Sequence, residues 1–461
     1  MSILRAYVLP HPPLAVPGVG RGDENKIQAT LAAFDEVAKE IAEIVPETII
    51  FITPHNVVYS DYFHISPGKG AKGDFSRFNA PDVRLEAEYN TGLADEIEHL
   101  AVAIGLPAGR QGERDSKLDH GVMVPMWFIN RRYTNYRALR ISPSGMDASE
   151  HYRFGKCIAE AAESVGCKTV LVASGDLSHK LSADGPYGFV PEGTVFDNLL
   201  TTALSKADFL SVFTIPDDLR EQAAECGYNS VMIMAGCLDR QRVDPKLYSY
   251  ECPFGVGYAV AGFVPIEPDE SRNFLEQYSM LALSEARERQ SFEDTYQAIA
   301  RQSLEHTVKN GGKLPLPGDL PDEMLINKAG AFVSLHKNGR LRGCVGTIAP
   351  TTKNIASEII QNAVSAGLHD NRFEPVTASE LPLLTYKVDI LSAPEVIGSP
   401  KQLDVKRYGV IVSSGHKRGL LLPNLNGIDT VEEQIAIARQ KAGISENADV
   451  KLERFEVTRH E

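Results

Sequence analysis

The sequence lacks the features that mark membrane, secreted and disulfide-rich proteins. No apolar run in its 461 residues approaches the roughly 20 residues needed to span a bilayer. The N-terminus has no basic segment followed by an apolar one, so no signal peptide is predicted. Six cysteines are scattered without a CxxC pair, a pattern that fits a reducing compartment. We therefore predict a cytoplasmic protein with no membrane partner.

An excess of positive charge is also missing. There are 47 basic and 61 acidic side chains, and the net charge is −14. Since no run of Lys and Arg with interleaved aromatic residues offsets this locally, we expect no nucleic-acid partner. A hydrophobic content of 43% with 23% charged residues is typical of folded globular chains. The length predicts two or three domains.

The patterning predicts two domains of different fold class. Up to about residue 265, strand-like apolar runs alternate with helical patterns at 26–44 and 151–165, which is typical of an α/β sheet. The last of these strands is predicted at 255–264, and the acidic, proline-containing segment 265–270 that follows it marks a boundary. We predict an α/β domain at 1–265.

The rest of the chain has a different pattern of predicted secondary structure. Residues 271–310 are strongly helical in pattern and break at Gly311-Gly312. Strands and helices then alternate, which predicts an α+β domain at 275–461. The predicted strands lie at 331–336, 386–391, 409–412 and 419–422, and the predicted helices at 355–368 and 431–442.

Three strand-like runs in the first 180 residues each end in a histidine, namely His11, His55 and His179. Functional groups gather beyond the carboxyl ends of the strands of a parallel sheet, so we expect these imidazoles to lie together. His120 stands before an apolar helix start and is followed by a glycine that allows close backbone approach. This arrangement of four histidines predicts a shared metal or acid/base site.

Carboxylates and a thiol accompany the histidines. Asp176 is close enough to His179 in sequence to orient its ring, and Glu225 and Cys226 open an apolar, helix-like run. Two imidazoles with one carboxylate form the ligand set of non-haem Fe(II), which leaves open positions for O₂ and a bidentate substrate. A further histidine supplies a general base near neutral pH.

Other histidines and cysteines lack such a setting. His64 and His99 are predicted to be surface residues. The remaining cysteines of this half are predicted to be core or near-surface thiols, and they are Cys157, Cys167, Cys237 and Cys252.

Several motifs together resemble the class III extradiol dioxygenase family of LigB type, which also contains the MEMO proteins. They are His11-Pro12-Pro13, Pro54-His55, Leu118-Asp119-His120-Gly121, Ser174-Gly175-Asp176-Leu177-Ser178-His179 and Asp184-Gly185-Pro186. The resemblance covers about residues 1–265. It implies Fe²⁺ or another divalent metal held by His11 and His55, with His179 as the acid/base residue. His120 would orient the substrate or support a metal ligand without binding the metal itself, and the substrate would be a small aromatic molecule of the catechol type.

The third metal ligand stays open at this point. Glu225 would complete the two-histidine, one-carboxylate set of the dioxygenases. In MEMO-like relatives a cysteine opening a CG motif stands there, and Cys226-Gly227 matches that pattern. The hardness of a carboxylate oxygen favours Glu225 for Fe(II), whereas ligation by Cys226 would weaken the case for ring cleavage.

The C-terminal half contains Leu341-Arg342-Gly343-Cys344-Val345-Gly346. An arginine near a thiol favours the thiolate, so Cys344, with Arg342 close to it in sequence, is a candidate nucleophile, redox thiol or ligand-binding residue. The alternative is that Cys344 is a small buried hydrophobe and that the glycines serve tight packing. His336 or His369 could partner the thiol only if the fold brings them near, and Asp370 could simply pair with Arg372.

LRGCVG is the signature of the AMMECR family, which residues 275–461 resemble over nearly their whole length. That resemblance carries no established reaction. A LigB-like and an AMMECR domain in one chain resemble the AmmeMemoRadiSam system proteins, which implies a MEMO-like protein and a radical SAM enzyme as partners. The chain itself has no Cx₃Cx₂C cluster motif.

The sequence therefore leads to two alternative hypotheses about function. The first is a non-haem iron protein of the extradiol dioxygenase superfamily that cleaves a catecholic substrate oxidatively. The second is a metal-binding scaffold or accessory component of a radical SAM-linked modification pathway without dioxygenase activity. A third expectation is a nucleophilic role of Cys344 that is independent of the metal site.

Overall fold

A computed structural model describes residues 2–113, 116–337, 339–425 and 427–461. The chain folds into two compact units, Met1–Ser279 and Met280–Glu461. In the described parts of the chain, no helix combines the length and the apolar composition needed to cross a membrane.

The first unit is built on an eight-stranded mixed sheet in the order β6-β3-β7-β2-β8-β1-β10-β9. Its four central strands, β7, β2, β8 and β1, are parallel, and every residue of β2 and β8 is buried, as expected of strands covered on both faces. Strands β4 and β5 form a separate hairpin. The bounds are β1 (Ile3–Leu9), β2 (Thr48–Ile52), β3 (Phe63–Ile65), β4 (Gly70–Phe75), β5 (Ala80–Glu88), β6 (Ala108–Gly109), β7 (Arg137–Ser142), β8 (Thr169–Ser174), β9 (Gln241–Glu251) and β10 (Tyr258–Pro268).

Helices cover both faces of this sheet and bury a core on each side. Helices α3, α5, α6, α7 and α9 pack on one face, and α2 and α4 on the other. The close packing of α5 on α9 requires Gly155 and Gly236, since a Cβ on either would lie 2.0 Å from a carbonyl oxygen of the opposite helix. The bounds are α1 (Pro17–Gly20), α2 (Gln28–Ile44), α3 (Thr91–Ala103), α4 (His120–Asn130), α5 (Ala148–Val165), α6 (Pro191–Lys206), α7 (Phe209–Phe213), α8 (Asp217–Ala223), α9 (Tyr228–Cys237) and α10 (Phe274–Phe292).

The second unit contains two four-stranded antiparallel sheets, in the orders β12-β11-β13-β18 and β14-β17-β15-β16. Helices α11 and α13 bury one face of the first sheet, and α14 packs on the second. The helices are α11 (Thr295–Asn310), α12 (Asp322–Ile326), α13 (Ile355–Leu368) and α14 (Val431–Ala442). The strands are β11 (Gly330–Lys337), β12 (Arg340–Gly346), β13 (Leu384–Leu391), β14 (Glu395–Ile397), β15 (Gly409–Ser414), β16 (Lys417–Leu421), β17 (Lys451–Phe455) and β18 (Val457–His460).

The predicted fold classes, α/β for the first half and α+β for the second, are confirmed. The single helical region expected at 271–310 is two helices, because Asp294 accepts hydrogen bonds from the backbone of Tyr296 and Gln297 in a capping box that starts a new helix. The prediction that His64 lies at the surface is wrong. It belongs to β3, is fully buried, and its Nε2 has no hydrogen-bond partner among the described residues.

Candidate metal centre

Three adjacent parallel strands deliver the three histidines to one edge of the large sheet. β8 pairs with β2 on one side and with β1 on the other. His55 follows β2, His179 follows β8 and His11 follows β1, so the carboxyl ends of these strands place the imidazoles in one crevice.

The centre of the cluster consists of His11, His55 and Cys226, whose ligand atoms all lie within 4.8 Å of one another. The Nε2 atoms of His11 and His55 are 2.9 Å apart, and Cys226 Sγ is 3.6 Å from His11 Nε2. His11 is only 2% exposed, whereas Cys226 is half-buried and His55 exposed. Three donors thus converge, and they range from a buried to an exposed residue.

His120 and His179 flank this centre. The His120 ring, in the first turn of α4, stacks on His55 with 4.1 Å between centroids and lies 5.3 Å from the His11 ring. His179 Nε2 is 3.9 Å from Cys226 Sγ. The four predicted histidines therefore lie together, with two of them beside the convergent donors.

The turn that carries Cys226 is fastened to the loop that follows β8. The backbone N–H of Cys226 donates to the carbonyl of Asp176 at 3.4 Å, and that of His179 donates to the carbonyl of Ala223 at 3.1 Å. The hydroxyl of Ser178 donates to the same Ala223 carbonyl at 3.0 Å. These contacts link residues that are about fifty positions apart in sequence.

The structure does not place Glu225 in the cluster. Its Oε2 accepts a hydrogen bond from the backbone N–H of Tyr228, the first residue of α9, at 2.7 Å. A carboxylate at this place compensates the free N–H groups and the positive end of the helix dipole. Glu225 is therefore engaged by its own helix, and the geometry favours Cys226 over Glu225 as the third donor.

Asp176 also differs from its expected place. Its Oδ1 accepts from the backbone N–H of His11 at 2.8 Å, and its Oδ2 lies 4.0 Å from His11 Nε2. The His179 ring instead stacks on Tyr187, with 5.2 Å between centroids. Asp176 thus holds the loop after β1, and among the described residues its carboxylate makes no hydrogen bond to the ring of His179.

Burial shifts the pKa of each of these groups in the direction that favours its uncharged form. Desolvation, followed by the neighbouring His55, lowers the pKa of His11 well below its usual value, and desolvation lowers the pKa of His120 to about 3. Burial and the adjacent Asp176 raise the pKa of the Cys226 thiol, and burial raises the pKa of Asp176 to about 7. Neutral imidazoles are the form that binds metals, and a bound cation would draw the proton from the thiol.

Two imidazole nitrogens and one thiolate fit a zinc or copper ion better than they fit the ferrous ion of ring cleavage. Thiolate is a soft ligand that suits zinc and copper, whereas the oxygen-activating Fe(II) set has a carboxylate as third ligand. Three protein ligands leave a position open, as in catalytic zinc sites. The donor set is suitable for a metal ion and differs from the dioxygenase set at one ligand.

Further residues to which the sequence analysis assigned no role support the cluster. Asp119, before His120, accepts from the Thr53 hydroxyl at 2.6 Å and lies 3.6 Å from the guanidinium of the fully buried Arg140. The Phe78 ring also contacts the His120 ring, edge to face, with 5.4 Å between centroids. An arginine inside the strand at 137–142 was a signal for this network, because an unpaired charge is not left in a core.

In the second unit, Cys344 lies on the edge strand β12. The guanidinium group that contacts it belongs to Arg372 and not to Arg342, the arginine that the sequence suggested. Glu380 binds Arg342 through both carboxylate oxygens, at 3.0 and 3.1 Å. Arg372 instead donates to the carbonyl of Cys344 at 3.3 Å, and the Ser334 hydroxyl donates to the thiol at 3.2 Å. The prediction that Arg342 activates Cys344 is therefore not supported by its contacts.

Neither candidate histidine partners that thiol. Within the described residues no hydrogen bond or ring contact joins Cys344 to His336, whose buried Nδ1 has no partner, and His369 is exposed. The glycines of the motif serve packing, because a Cβ on Gly343 would lie 2.1 Å from the Ala366 carbonyl oxygen and one on Gly346 would lie 2.1 Å from the Phe332 ring. Of the other cysteines, Cys157, Cys167 and Cys237 are buried and Cys252 is exposed.

Comparison with known proteins agrees with this architecture. Residues 5–261 match the family described as the catalytic LigB subunit of aromatic ring-opening dioxygenase, and residues 297–460 match AMMECR1. Protein CA_C1420 of Clostridium acetobutylicum is 42% identical over 468 residues, which cover 100% of this chain and 99% of the relative. A protein of Thermotoga maritima is 48% identical over 170 residues, 36% of this chain and 98% of that protein.

Two solved structures also match. The crystal structure of protein PH0010 from Pyrococcus horikoshii is 31% identical, covers 37% of this chain and 90% of its own, and has a TM-score of 0.34. That of protein JW3007 from Escherichia coli K12 is 14% identical, covers 56% and 99%, and has a TM-score of 0.38. The two family matches and the full-length relative show that the chain belongs to the LigB family of extradiol dioxygenase-like proteins, with an AMMECR1 domain fused at its C-terminal end.

Proposed function

We propose that this protein is a mononuclear metalloprotein whose centre is formed by His11, His55 and Cys226. The observation that carries the proposal is the convergence of their three donor atoms within 4.8 Å. These donors come from separate loops after β1 and β2 and from the turn before α9, so the fold as a whole, and no local motif, assembles them. The donor chemistry favours a borderline or soft ion such as Zn²⁺ or copper.

The favoured role is that of a metal-binding component of a modification pathway. Two domains matched to LigB and AMMECR1 in one chain support a place in an AmmeMemoRadiSam system, with a radical SAM enzyme and a MEMO-like protein as partners. Since the six cysteines are too widely spaced for a Cx₃Cx₂C motif, iron–sulfur chemistry would belong to a partner. Replacement of the expected carboxylate by Cys226 supports this role over ring cleavage.

Extradiol cleavage of a catechol by an Fe²⁺-loaded centre is the second candidate, supported by LigB family membership. In this reaction both atoms of O₂ enter the catechol and one ring C–C bond beside a hydroxyl-bearing carbon breaks, so that the product contains all atoms of both reactants. The position of His179 Nε2, 3.9 Å from Cys226 Sγ, supports a role for this ring in accepting the proton of a catechol hydroxyl. Burial lowers the pKa of His179, which keeps the ring in its proton-accepting form at neutral pH.

Metal content tests the proposal directly. The parent chain and the variants His11→Ala, Cys226→Ser and His99→Ala are purified without oxygen, loaded with Zn²⁺, Cu⁺ or Fe²⁺, and analysed by elemental mass spectrometry. His99 is a matched control because it is an exposed histidine on α3. We expect about one ion per chain in the parent and in His99→Ala, and near-complete loss in the other two. Equal metal in His11→Ala and the parent, or no binding after loading, would overturn the proposal.

The second candidate is tested by O₂ consumption and ring-opened product with a panel of catechols. Cleavage by the iron-loaded parent, lost in His179→Asn at unchanged metal content, would establish a dioxygenase. Absence of cleavage with one bound ion per chain would leave the metal-binding role.

A further inference from the structure

We infer that Ser174 fixes the tautomer of His11 and so presents Nε2 of that ring as the metal-binding atom. This inference rests on the proposed metal site and concerns a residue that does not itself touch the metal. Ser174 is the last residue of β8, and its side chain is completely buried.

The direction of two hydrogen bonds carries the inference. Ser174 Oγ lies 2.6 Å from the carbonyl oxygen of Gly121. A carbonyl can only accept, so the single hydroxyl proton of Ser174 points at Gly121. His11 Nδ1 lies 2.9 Å from the same Ser174 Oγ. Because the serine has no second proton, Nδ1 must carry the hydrogen and donate it.

The other nitrogen of the His11 ring then carries a lone pair and no proton. That atom, Nε2, lies 2.9 Å from His55 Nε2 and 3.6 Å from Cys226 Sγ. The opposite tautomer would aim the Nδ1 lone pair at an oxygen without a proton, and it would leave a buried hydrogen bond unmade, which is unfavourable. Metal-ligating histidines are oriented in this way by a hydrogen bond to the second nitrogen.

The chain offers a matched control for Ser174. Ser142 is the last residue of β7, in the same sheet, and is also completely buried. Its hydroxyl has no hydrogen-bond partner among the described residues. Ser142→Ala therefore removes a buried serine hydroxyl at a strand end of the sheet without altering a bond to His11.

The test measures Co²⁺ affinity by competition with a chromophoric chelator for the parent, Ser174→Ala, Ser142→Ala and His11→Ala. Removal of such an orienting bond typically lowers metal affinity 10- to 100-fold, and we expect a loss of about that size in Ser174→Ala and none in Ser142→Ala. X-ray absorption spectra of the Co²⁺ forms report the ligands themselves. We expect two imidazoles in the parent and fewer than two in Ser174→Ala, a change that general loosening of the fold would not produce.

The outcomes separate the inference from the proposed function. A parent that binds no Co²⁺ overturns the metal site itself. Co²⁺ binding that His11→Ala abolishes, but that is equal in Ser174→Ala and Ser142→Ala, overturns only the role of Ser174. If Ser174→Ala does not fold, two-bond ¹H–¹⁵N correlation of the metal-free parent with labelled histidine decides the matter. A proton on Nδ1 of His11 supports the inference, and a proton on Nε2 overturns it.

Discussion

Gly175 and Gly227 lie in direct backbone contact, since a Cβ on Gly175 would be 2.1 Å from the Cα of Gly227. Gly175 opens the loop that leads to His179, and Gly227 follows Cys226. The absence of two side chains is therefore what allows the thiol to approach the histidine loops. It gives a physical reason for the glycines of the Ser174-Gly175 and Cys226-Gly227 pairs.

Gly175→Ala is expected to separate these loops and to weaken metal binding together with stability. Forcing atoms into a packed site typically costs about 1–3 kcal/mol. Urea unfolding followed by the fluorescence of Trp127, the single tryptophan of the chain, reports the first unit. Gly92→Ala at the start of α3 is the control, because its Cβ would meet nothing nearer than 3.7 Å. Equal stability and equal metal content in both variants would contradict this explanation.

Cys226 and Glu225 are expected to respond oppositely to substitution. Cys226→Ser should lose the bound metal, because a hydroxyl is a much poorer ligand than a thiolate. Glu225→Gln should keep the metal, since its amide oxygen can still accept from the N–H of Tyr228. Elemental analysis after loading decides between them, and loss of metal in Glu225→Gln alone would restore the carboxylate as ligand.

The sequence predicted the meeting of the histidines because strand ends in a parallel sheet share an edge. It left the choice between Glu225 and Cys226 open, because the side chains of adjacent residues in a turn point in different directions and the sequence does not show which of them faces the histidines. A signal was available in the spacing of Glu225 to Tyr228, since an acidic side chain just before an apolar helix commonly binds the first free N–H groups. The buried state of His64 was not readable, because its strand β3 has only three residues and is buried by its neighbours.

Glu358 fastens the segment that follows the LRGCVG strand. Its fully buried carboxylate accepts from the hydroxyls of Thr347, Thr351 and Thr352 at 2.6–2.7 Å and from the backbone N–H groups of Thr351 and Thr352 at 3.0 and 2.8 Å. Burial opposes ionisation, but these donors outweigh it and lower the pKa of Glu358.

Glu358→Gln should therefore destabilise the second unit by about 3 kcal/mol at pH 7, because an amide cannot accept all five bonds. A carboxylate whose pKa is lower in the folded than in the unfolded chain stabilises the fold at a pH above its unfolded-state pKa of about 4.3. This stabilisation is lost as the pH falls through the folded-state pKa. Amide hydrogen exchange at 347–354 should be faster in the variant at pH 7, and the difference from the parent in unfolding free energy should shrink below pH 4. Glu374→Gln, at an exposed site, is the control, and a pH-independent difference would contradict this assignment.

Asp370 and Arg372 act together on the backbone of Cys344. Asp370 Oδ2 accepts from the Cys344 N–H at 2.9 Å, and the Arg372 guanidinium donates to the Cys344 carbonyl. This pair occupies the free edge of β12 as a neighbouring strand would. Asp370→Ala should free this edge of β12 and raise the alkylation rate of Cys344 by up to about tenfold. That factor corresponds to a loss of about 1.4 kcal/mol of interaction free energy between the pair and the strand.

Iodoacetamide labelling with peptide mass spectrometry measures this rate, and the exposed Cys252 provides an internal reference in the same chain. An unchanged ratio of Cys344 to Cys252 labelling would show that the pair does not shield the thiol. A Cys344 rate in the parent far above that of Cys252 would instead support the nucleophile expected from the sequence.

His151 makes the first unit sensitive to acid. Its Nε2 accepts from the backbone N–H of Ser144 at 3.2 Å and its Nδ1 donates to the carbonyl of Asp147 at 2.8 Å, so the ring is held neutral inside the core. Burial lowers its pKa to about 4, against about 6.5 in an unfolded chain. Between these values the unfolded chain binds a proton that the folded chain excludes, so stability falls as the pH falls.

Lowering the pH from 7 to 5 should therefore cost the parent about 2 kcal/mol through this residue alone. His151→Gln should reduce the loss by that amount, and the exposed His99→Gln should not. Urea unfolding followed by Trp127 fluorescence at the two pH values measures the difference in metal-free protein. Because His64 is also buried with a pKa lowered to about 4, part of the acid sensitivity should persist in His151→Gln. An identical pH dependence in parent and variant would mean that the His151 ring is free to ionise in the folded state.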